Sequence, residues 1–544
     1  MPMIVERRLA AVLVSLAMVA GACSSGNNNP KVSVGPSPQA TQGTAAPGTP
    51  DGAAPATPGP DAAPQAALAA PGGASAASAP GSQSAPSAGA KSAASNPSPG
   101  APAPRAAAAG PAPAAPAGSP GGGPGAPVPS PTPGKPGPAP APGAANFASD
   151  TGVTDASIKL GTIGILSGPV SGIGADLSYA GQAVVRAAND AGGVNGRKLD
   201  LLVRDDAWDG TKGMNAARDL VEREKIFAFS AVMTTATTDL LAPYADQIGI
   251  PNVGSDGFGD AQYGRQWSWP AGNSSVVDGY ALAEYAVKEQ NVKTVGILYF
   301  DAPFARAYRD SYKRYIESLG AKVVVEQAGS FDDPGTAAFI AKCRAANVDL
   351  ITFNGEPGLW VKMVREAQAQ GYKPPKGFQG PASLPFNAIP GLAGPWAEGS
   401  VSTQNYTPND IGEARGDQDP GYAKYSAVVT KYYPNIQHSS FTKGAYMGGS
   451  LLIDAMKRLG ANVTRKGVKD ILDGTKSYDL GLGARLNYQC DHRGNHTTYF
   501  VKIAKDPDAA KSSDKRARDA VDKGEGSRWK FVSGPVEDKW SKPC

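Results

Sequence analysis

An alternation of apolar strands with helical segments, starting at Ile158 and running past Phe378, constrains this chain more than any other feature. Ile158-Lys-Leu-Gly-Thr-Ile-Gly-Ile-Leu166 reads as a near-continuous apolar strand. The glycine-rich turn Ser167-Gly-Pro-Val-Ser-Gly-Ile-Gly174 follows it, and Leu177, Ala180, Val184 and Ala188 then recur at helical spacing. Strands are expected at 198–204, 226–232 and 250–253, with helices at 211–223 and 239–247 between them. The rhythm restarts with helix 278–290 and strand 294–299. It continues through helix 305–319, strand 322–326, helix 336–346, strand 349–353, helix 359–370 and strand 377–380. Strands separated by helices of ten or so residues build parallel sheets covered on both faces. Two such runs predict an α/β protein of two lobes with a cleft between them. Ligands of such sheets bind outside the C-terminal strand ends.

The segment before the first strand is different in kind. From Ser24 to about Ala148 the chain is almost wholly Ala, Pro, Gly and Ser. It has too little apolar bulk to offset the entropy of ordering and reads as a disordered tether. As a flexible coil it would span roughly 60 Å, and its prolines extend it. At the very start, Arg7 and Arg8 precede a short apolar run that ends in Ala20-Gly21-Ala22-Cys23. This is the pattern of a secretory signal peptide, and the run is short for a membrane-spanning helix. Its end resembles the bacterial lipobox, although Ala20 stands where that pattern prefers leucine. The resemblance implies cleavage before Cys23, lipid attachment to its sulfur, and a protein anchored on the outer face of a bacterial cell membrane, in the cell envelope or periplasm. The expected domains are therefore a signal peptide (1–22), a lipidated tether (23–148) and a folded part (149–544).

A net charge of +4 gives no basis for a nucleic-acid partner. The three histidines are His438, His492 and His496. No His-Glu-x-x-His, no Gly-x-Ser-x-Gly elbow and no phosphate loop occurs. Gly172-Ile-Gly174 lacks the third glycine of a dinucleotide fingerprint. Nothing supplies a nucleophile with a base, so an envelope hydrolase is disfavoured, no enzyme activity is expected and no cofactor is implied. Cys490, His492 and His496 are closely spaced, but Arg-Gly-Asn between them reads as a hairpin turn, and a metal is not expected there. In an exported chain Cys343, Cys490 and Cys544 can oxidise. Cys490 and Cys544 are the favoured pair, Cys343 reads as a buried helical residue, and the connectivity stays open.

Four motifs fall just after the first four strands. They are 167–174, Val203-Arg-Asp-Asp-Ala-Trp208, Met233-Thr-Thr-Ala-Thr-Thr238 and Gly254-Ser-Asp-Gly-Phe258. Together they resemble the leucine/isoleucine/valine-binding type of periplasmic solute-binding protein, the type I two-lobed fold, over essentially all of residues 158–531. The resemblance implies three chain crossings, near residues 275, 401 and 489. One lobe would hold about 157–275 and 402–489, the other about 276–401 and 490–535. It also implies a monomer whose lobes close over a small solute and hand it to an ABC permease. A sensor lipoprotein of the same fold, signalling to a membrane partner, is the alternative.

Residue roles carry over only where the motif matches. Thr235 falls on the family's carboxylate-binding serine, with Ala236 and Thr237 beside it at a helix start, where free N–H groups favour an anion. Gly257 falls where backbone meets ligand. Phe258 replaces a hydroxyl residue, and Phe304 falls at or beside a stacking tyrosine; each can line the cleft or pack in the core. Two departures bear on the ligand. The Glu that holds a ligand ammonium is missing, because the matching stretch is Gly380-Pro381-Ala382-Ser383. Either Glu356 replaces it or the ligand is not a zwitterionic amino acid. The family's disulfide near the first sheet is also missing, with Trp208 and Thr234 in its places; Trp208 either walls the cleft or packs. The charged stretch Asp506–Ser527 is expected to be a surface loop between the last two strands.

Overall fold

The computed structural model describes residues 145–330, 335–415, 418–489, 491–507, 511, 518 and 526–540. The signal sequence, nearly all of the tether, Cys23, Cys490, Cys544 and most of 506–527 lie outside the described residues. Already at Asn146 the chain lies on the folded part. Its amide donates to the Asn195 carbonyl (2.8 Å), and Arg197 donates to the Phe147 carbonyl (2.9 Å).

The first lobe is built on β1 (Ser157–Gly164), β2 (Lys198–Asp205), β3 (Ala228–Ser230), β4 (Asn252–Val253) and β5 (Ser268–Trp269). They form a wholly parallel sheet in the order β2-β1-β3-β4-β5. Ile158, Leu160 and Ile163 of β1 are fully buried, as a strand covered on both faces requires. The second lobe is built on β6 (Thr294–Phe300), β7 (Lys322–Gly329), β8 (Leu350–Asn354), β9 (Phe378–Gly380) and β10 (Val401–Gln404). A small hairpin of β11 (Tyr478–Asp479) and β12 (Arg485–Leu486) follows, and then β13 (Thr497–Lys505) and β14 (Ser527–Glu537) complete the second sheet. Its order is β14-β13-β10-β9-β8-β6-β7.

This second sheet has the expected parallel core and is extended at one edge by two antiparallel strands. β13 runs antiparallel to β10, and β14 antiparallel to β13. The chain re-enters this lobe after its third crossing from the opposite end, so the added ribbon cannot share the βαβ direction. The helices Pro420–Tyr432 and Ser440–Arg458 pack on the helix Ser171–Asp190, which covers the first sheet.

Three segments link the lobes, and polar side chains bind them to one another. Asn495 donates its amide to the carbonyls of Asn405 (3.1 Å) and Ala271 (3.4 Å). The Tyr406 hydroxyl donates to Ala271 O (2.6 Å), and that of Tyr488 to Pro270 O (2.8 Å). All three side chains are buried, so each hinge segment is held by its neighbours rather than by solvent.

Asp278 sits on the second-lobe side of the first crossing. Its buried carboxyl accepts from Thr403 Oγ1 (2.9 Å) and Ala382 N (3.1 Å), and burial pushes its pKa up to about 7. The folded state therefore holds a proton between about pH 4 and 7 that the unfolded chain releases. Stability from this group falls as pH rises through that window. Asp278→Asn is expected to remove on the order of 2 kcal/mol of that fall. Asp239, which burial and the neighbouring Asp256 also push to about 7, contributes a fall of the same sign, as do the other buried carboxyls whose pKa burial raises. Denaturant titrations at pH 5 and pH 8 check this. An unchanged difference between the two would refute it.

Candidate functional site

The C-terminal edges of both sheets open on one cavity, with about 550 Å3 of atom-free space that is partly open to solvent. From the first lobe, the turn after β1 supplies Ile165, Val170 and Ile173, the turn after β2 supplies Trp208, and the segment after β3 supplies Met233, Thr234 and Thr235. Asp256 and Phe258 follow β4. From the second lobe come Phe304, Glu356, Ser383 and Phe386, while Phe441 arrives on the helix Ser440–Arg458. The lobes touch across this space. Trp208 stacks on Phe300 with ring centroids 5.7 Å apart, and Phe258 meets Phe304 at 5.5 Å.

Two buried carboxyls organise the first-lobe wall. Asp256 accepts from Thr235 Oγ1 (2.6 Å), Gln262 Nε2 (2.7 Å), Thr238 Oγ1 (3.1 Å) and Phe258 N (3.3 Å). Burial pushes its pKa up, and these donors act against that rise. Asp206 accepts from the hydroxyls of Thr234 and Thr237 (2.6 Å each) and from Trp208 N (2.9 Å). Where the resemblance implies a disulfide between positions 208 and 234, one carboxyl here ties the two segments together. Trp208 and Ala207 both have positive φ (59° and 51°), conformations that L-residues adopt at a cost.

The helix Thr235–Ile248 starts at the cavity. Thr234 is its N-cap, and the N–H groups of Thr237 and Thr238 bond to the Thr234 carbonyl. The N–H groups of Thr235 and Ala236 take no acceptor from the described residues.

Of the residues singled out from the sequence, Thr235, Phe258, Phe304 and Glu356 lie on the cavity wall, as does Trp208. Ala236, beside Thr235 in the first turn of the helix, is not among the wall residues. Thr237 is fully buried and turned inward to Asp206, so its hydroxyl is not presented to the cavity. Gly257 is also reassigned. Its N–H donates to Gln262 Oε1 (3.2 Å), its φ is +67°, and a Cβ there would meet the Gly272 carbonyl carbon at 2.7 Å. Glycine is needed at that place for the close approach to Gly272, and Gly257 is not among the wall residues.

Glu356 does not stand free as a substitute acid. It caps its own helix, Pro357–Ala369, accepting from Leu359 N (3.1 Å), and burial pushes its carboxyl pKa up. Ala382, in the place of the missing acid, is buried and gives its N–H to Asp278.

Phe386 and Phe441 line the cavity without having been singled out from the sequence. An aromatic six residues beyond β9 was a usable signal for Phe386. Phe441 carries none, because only the packing of a distant helix brings it to the cavity.

Elsewhere, His492 stacks on Trp269 at 5.2 Å, with Nδ1 3.0 Å from Ser268 O and Nε2 3.1 Å from the Asp473 carboxylate. No group of three His, Cys, Asp or Glu placed to hold a metal occurs among the described residues. Cys343 is buried, and burial pushes its thiol pKa up to about 12.

A family model described as periplasmic binding protein matches residues 157–509. The chain is 25% identical over 308 residues to "Leu/Ile/Val-binding protein homolog 1" of Brucella suis, an alignment covering 55% of this chain and 78% of that protein. Among solved structures, it superposes on a "fatty acid ABC transporter substrate-binding protein" from Thermomonospora curvata with a TM-score of 0.61. That pair shares 21% identity and covers 72% of this chain and 95% of the other. A solute-binding protein of an ABC transporter from Rhodopseudomonas palustris BisB5, solved with 3,4-dihydroxybenzoic acid, gives a TM-score of 0.56 at 16% identity, covering 70% and 98%.

Proposed function

Because the chain belongs to the periplasmic binding protein family, we propose that it is the extracytoplasmic substrate-binding component of an ABC importer. It captures a small carboxylate- or amide-bearing solute between its lobes and delivers it to a membrane permease. The observation that carries this reading is a cavity walled by both sheets and spanned by three linked crossings. A ligand there contacts both lobes at once and so favours their closed arrangement. The open N–H groups at the start of the helix Thr235–Ile248 suit an acceptor-bearing solute. Two solved relatives of the fold point the same way, one described as a fatty-acid binder and the other holding a benzoic acid. No helix among the described residues is long and apolar enough to cross a membrane. Attachment is assigned to a lipid on Cys23, with the Ala/Pro/Gly/Ser-rich segment as tether and a monomer as the working unit.

Thermal shift on the full chain tests the reading. The panel holds amino acids, their deaminated acids, amides, short peptides and sugars. Saturation at about 100 times Kd adds about 2.7 kcal/mol of stability, a rise in melting temperature that is readily measured. A panel with no shift at any member would refute capture of such a solute.

A further inference from the structure

We infer that Asp410 and Glu413 form a latch between the lobes that favours their closed arrangement. This rests on the transport reading only in requiring that the lobes move. Adjacent residues of the second crossing are fastened to opposite lobes. Asn409 is held by the first: its amide donates to the His438 carbonyl (2.9 Å), and its side-chain oxygen accepts from Lys443 Nζ (2.6 Å). Lys443 lies on the helix Ser440–Arg458 and also donates to the Thr407 carbonyl (2.7 Å). Asp410, the next residue, accepts from Phe531 N (2.9 Å) on β14 of the second lobe. One turn further, Glu413 accepts from Arg528 Nη2 (2.8 Å) on the same strand. Asn409, Asp410 and Glu413 share one short helix, Asn409–Arg415, whose first turn is closed by Gly412 N on the Pro408 carbonyl (3.0 Å). Rotation of one lobe against the other strains that turn unless one set of contacts parts.

The two sets differ in what parting leaves behind. Lys443 is fully buried, with Nζ 5.5 Å from the centre of the Tyr422 ring. Burial pushes its pKa down to about 7, and Glu413, Asp410 and Asp419 act against that fall. Drawn away from Thr407 and Asn409, its amine would lose both of its oxygen acceptors while still inside the protein, which is costly. The second-lobe set parts at less cost. Arg528 Nε lies 3.6 Å from an Asp506 carboxylate oxygen, and Lys530 Nζ lies 3.1 Å from the same oxygen. Both cations of β14 therefore keep an anion when the helix leaves, and the freed Asp410 and Glu413 carboxyls meet water. Opening thus takes the helix Asn409–Arg415 with the first lobe. The bonds to Arg528 and Phe531 are made in the arrangement in which Trp208 stacks on Phe300, and they add to its stability.

Single-molecule energy transfer across the cleft mouth, on the full chain with no solute added, tests the latch. Dyes are carried on p-azidophenylalanine at Lys212 in the first lobe and Lys362 in the second, which spares the cysteines. Both lysines are exposed and sit on helices that follow strand ends facing the cavity. Glu413→Gln and Arg528→Met are each expected to lower the closed-to-open ratio roughly tenfold, and the double variant no further than either alone. Arg528→Lys, which keeps a cation beside Glu413, should show a smaller fall and guards against loss of folding in the Met variant.

Leu472→Ala, at a fully buried residue of the helix Arg465–Asp473, serves as the stability control and should leave the ratio unchanged. A wild-type chain with no closed population, an unchanged ratio in the single variants, additive effects of Glu413 and Arg528, or an equal fall in Leu472→Ala would each overturn the latch. All four leave the transport reading standing, since that reading falls only if the thermal-shift panel is silent.

Discussion

Replacing Asp206 with alanine is expected to destabilise the fold by about 3 kcal/mol and to weaken solute capture roughly tenfold. The carboxyl is fully buried and takes three donors: two hydroxyls at 2.6 Å and the Trp208 N–H at 2.9 Å. Opposing terms are at work. Burial pushes the carboxyl pKa up, so its removal relieves a desolvation cost. Yet alanine takes the acceptor from two buried hydroxyls and from the part-buried Trp208 N–H, at about 1–2 kcal/mol each, and their sum exceeds the relief. The effect on binding follows from Trp208. Its left-handed backbone is held by the Asp206 carboxyl, and its ring stacks on Phe300 of the other lobe at an interplanar angle of 16°. Without that restraint the turn relaxes and the aromatic wall loses its position. Asp206→Asn, which keeps one acceptor oxygen, should fall between the two. Denaturant midpoints and calorimetric titration measure the two effects separately. Affinity unchanged at reduced stability would mean that Trp208 packs without serving the cavity.

The strand–helix rhythm was legible up to Gly380 because each unit there couples an apolar strand to a helix of ordinary length. Beyond Gly380 it was not. β10 and β13 take their partners from distant parts of the chain, and the helices 420–473 return to cover the first sheet. Pairing of that kind leaves no local period to read. In the site, Thr235, Phe258 and Phe304 could be placed because residues just past the strand ends must face the cleft. Direction was harder. Thr237 lies two positions from Thr235, yet a helical turn carries it inward to Asp206. Glu356 looked like a free acid, but the Pro357-Gly358 that follows it starts a helix it must cap. Asp206 was read only as part of a turn, and its role depends on two threonines brought close by a parallel neighbour strand.

Gly448→Ala should destabilise the first lobe strongly, at about 3 kcal/mol. Gly448 lies inside the helix Ser440–Arg458, where alanine by itself would add about 0.5–1 kcal/mol of helical stability. The packing reverses that sign. A Cβ on Gly448 would lie 2.1 Å from the Gly254 Cα, and one on Gly254, whose φ is +78°, would lie 2.5 Å from the Gly448 Cα. Both neighbours are backbone, so no rotamer change makes room, and the helix must withdraw from the end of β4. That shift acts on ligand capture as well. Gly254 is two residues before Asp256, whose carboxyl holds Thr235 at the cavity, so the start of the helix Thr235–Ile248 moves with it. The variant is therefore expected to lose affinity together with stability, whereas Gly192→Ala, where a Cβ meets nothing within 4 Å but φ is +92°, should lose only a little stability from backbone strain. If Gly448→Ala melts at the wild-type temperature, the close approach of helix and strand is not what fixes the floor of the site.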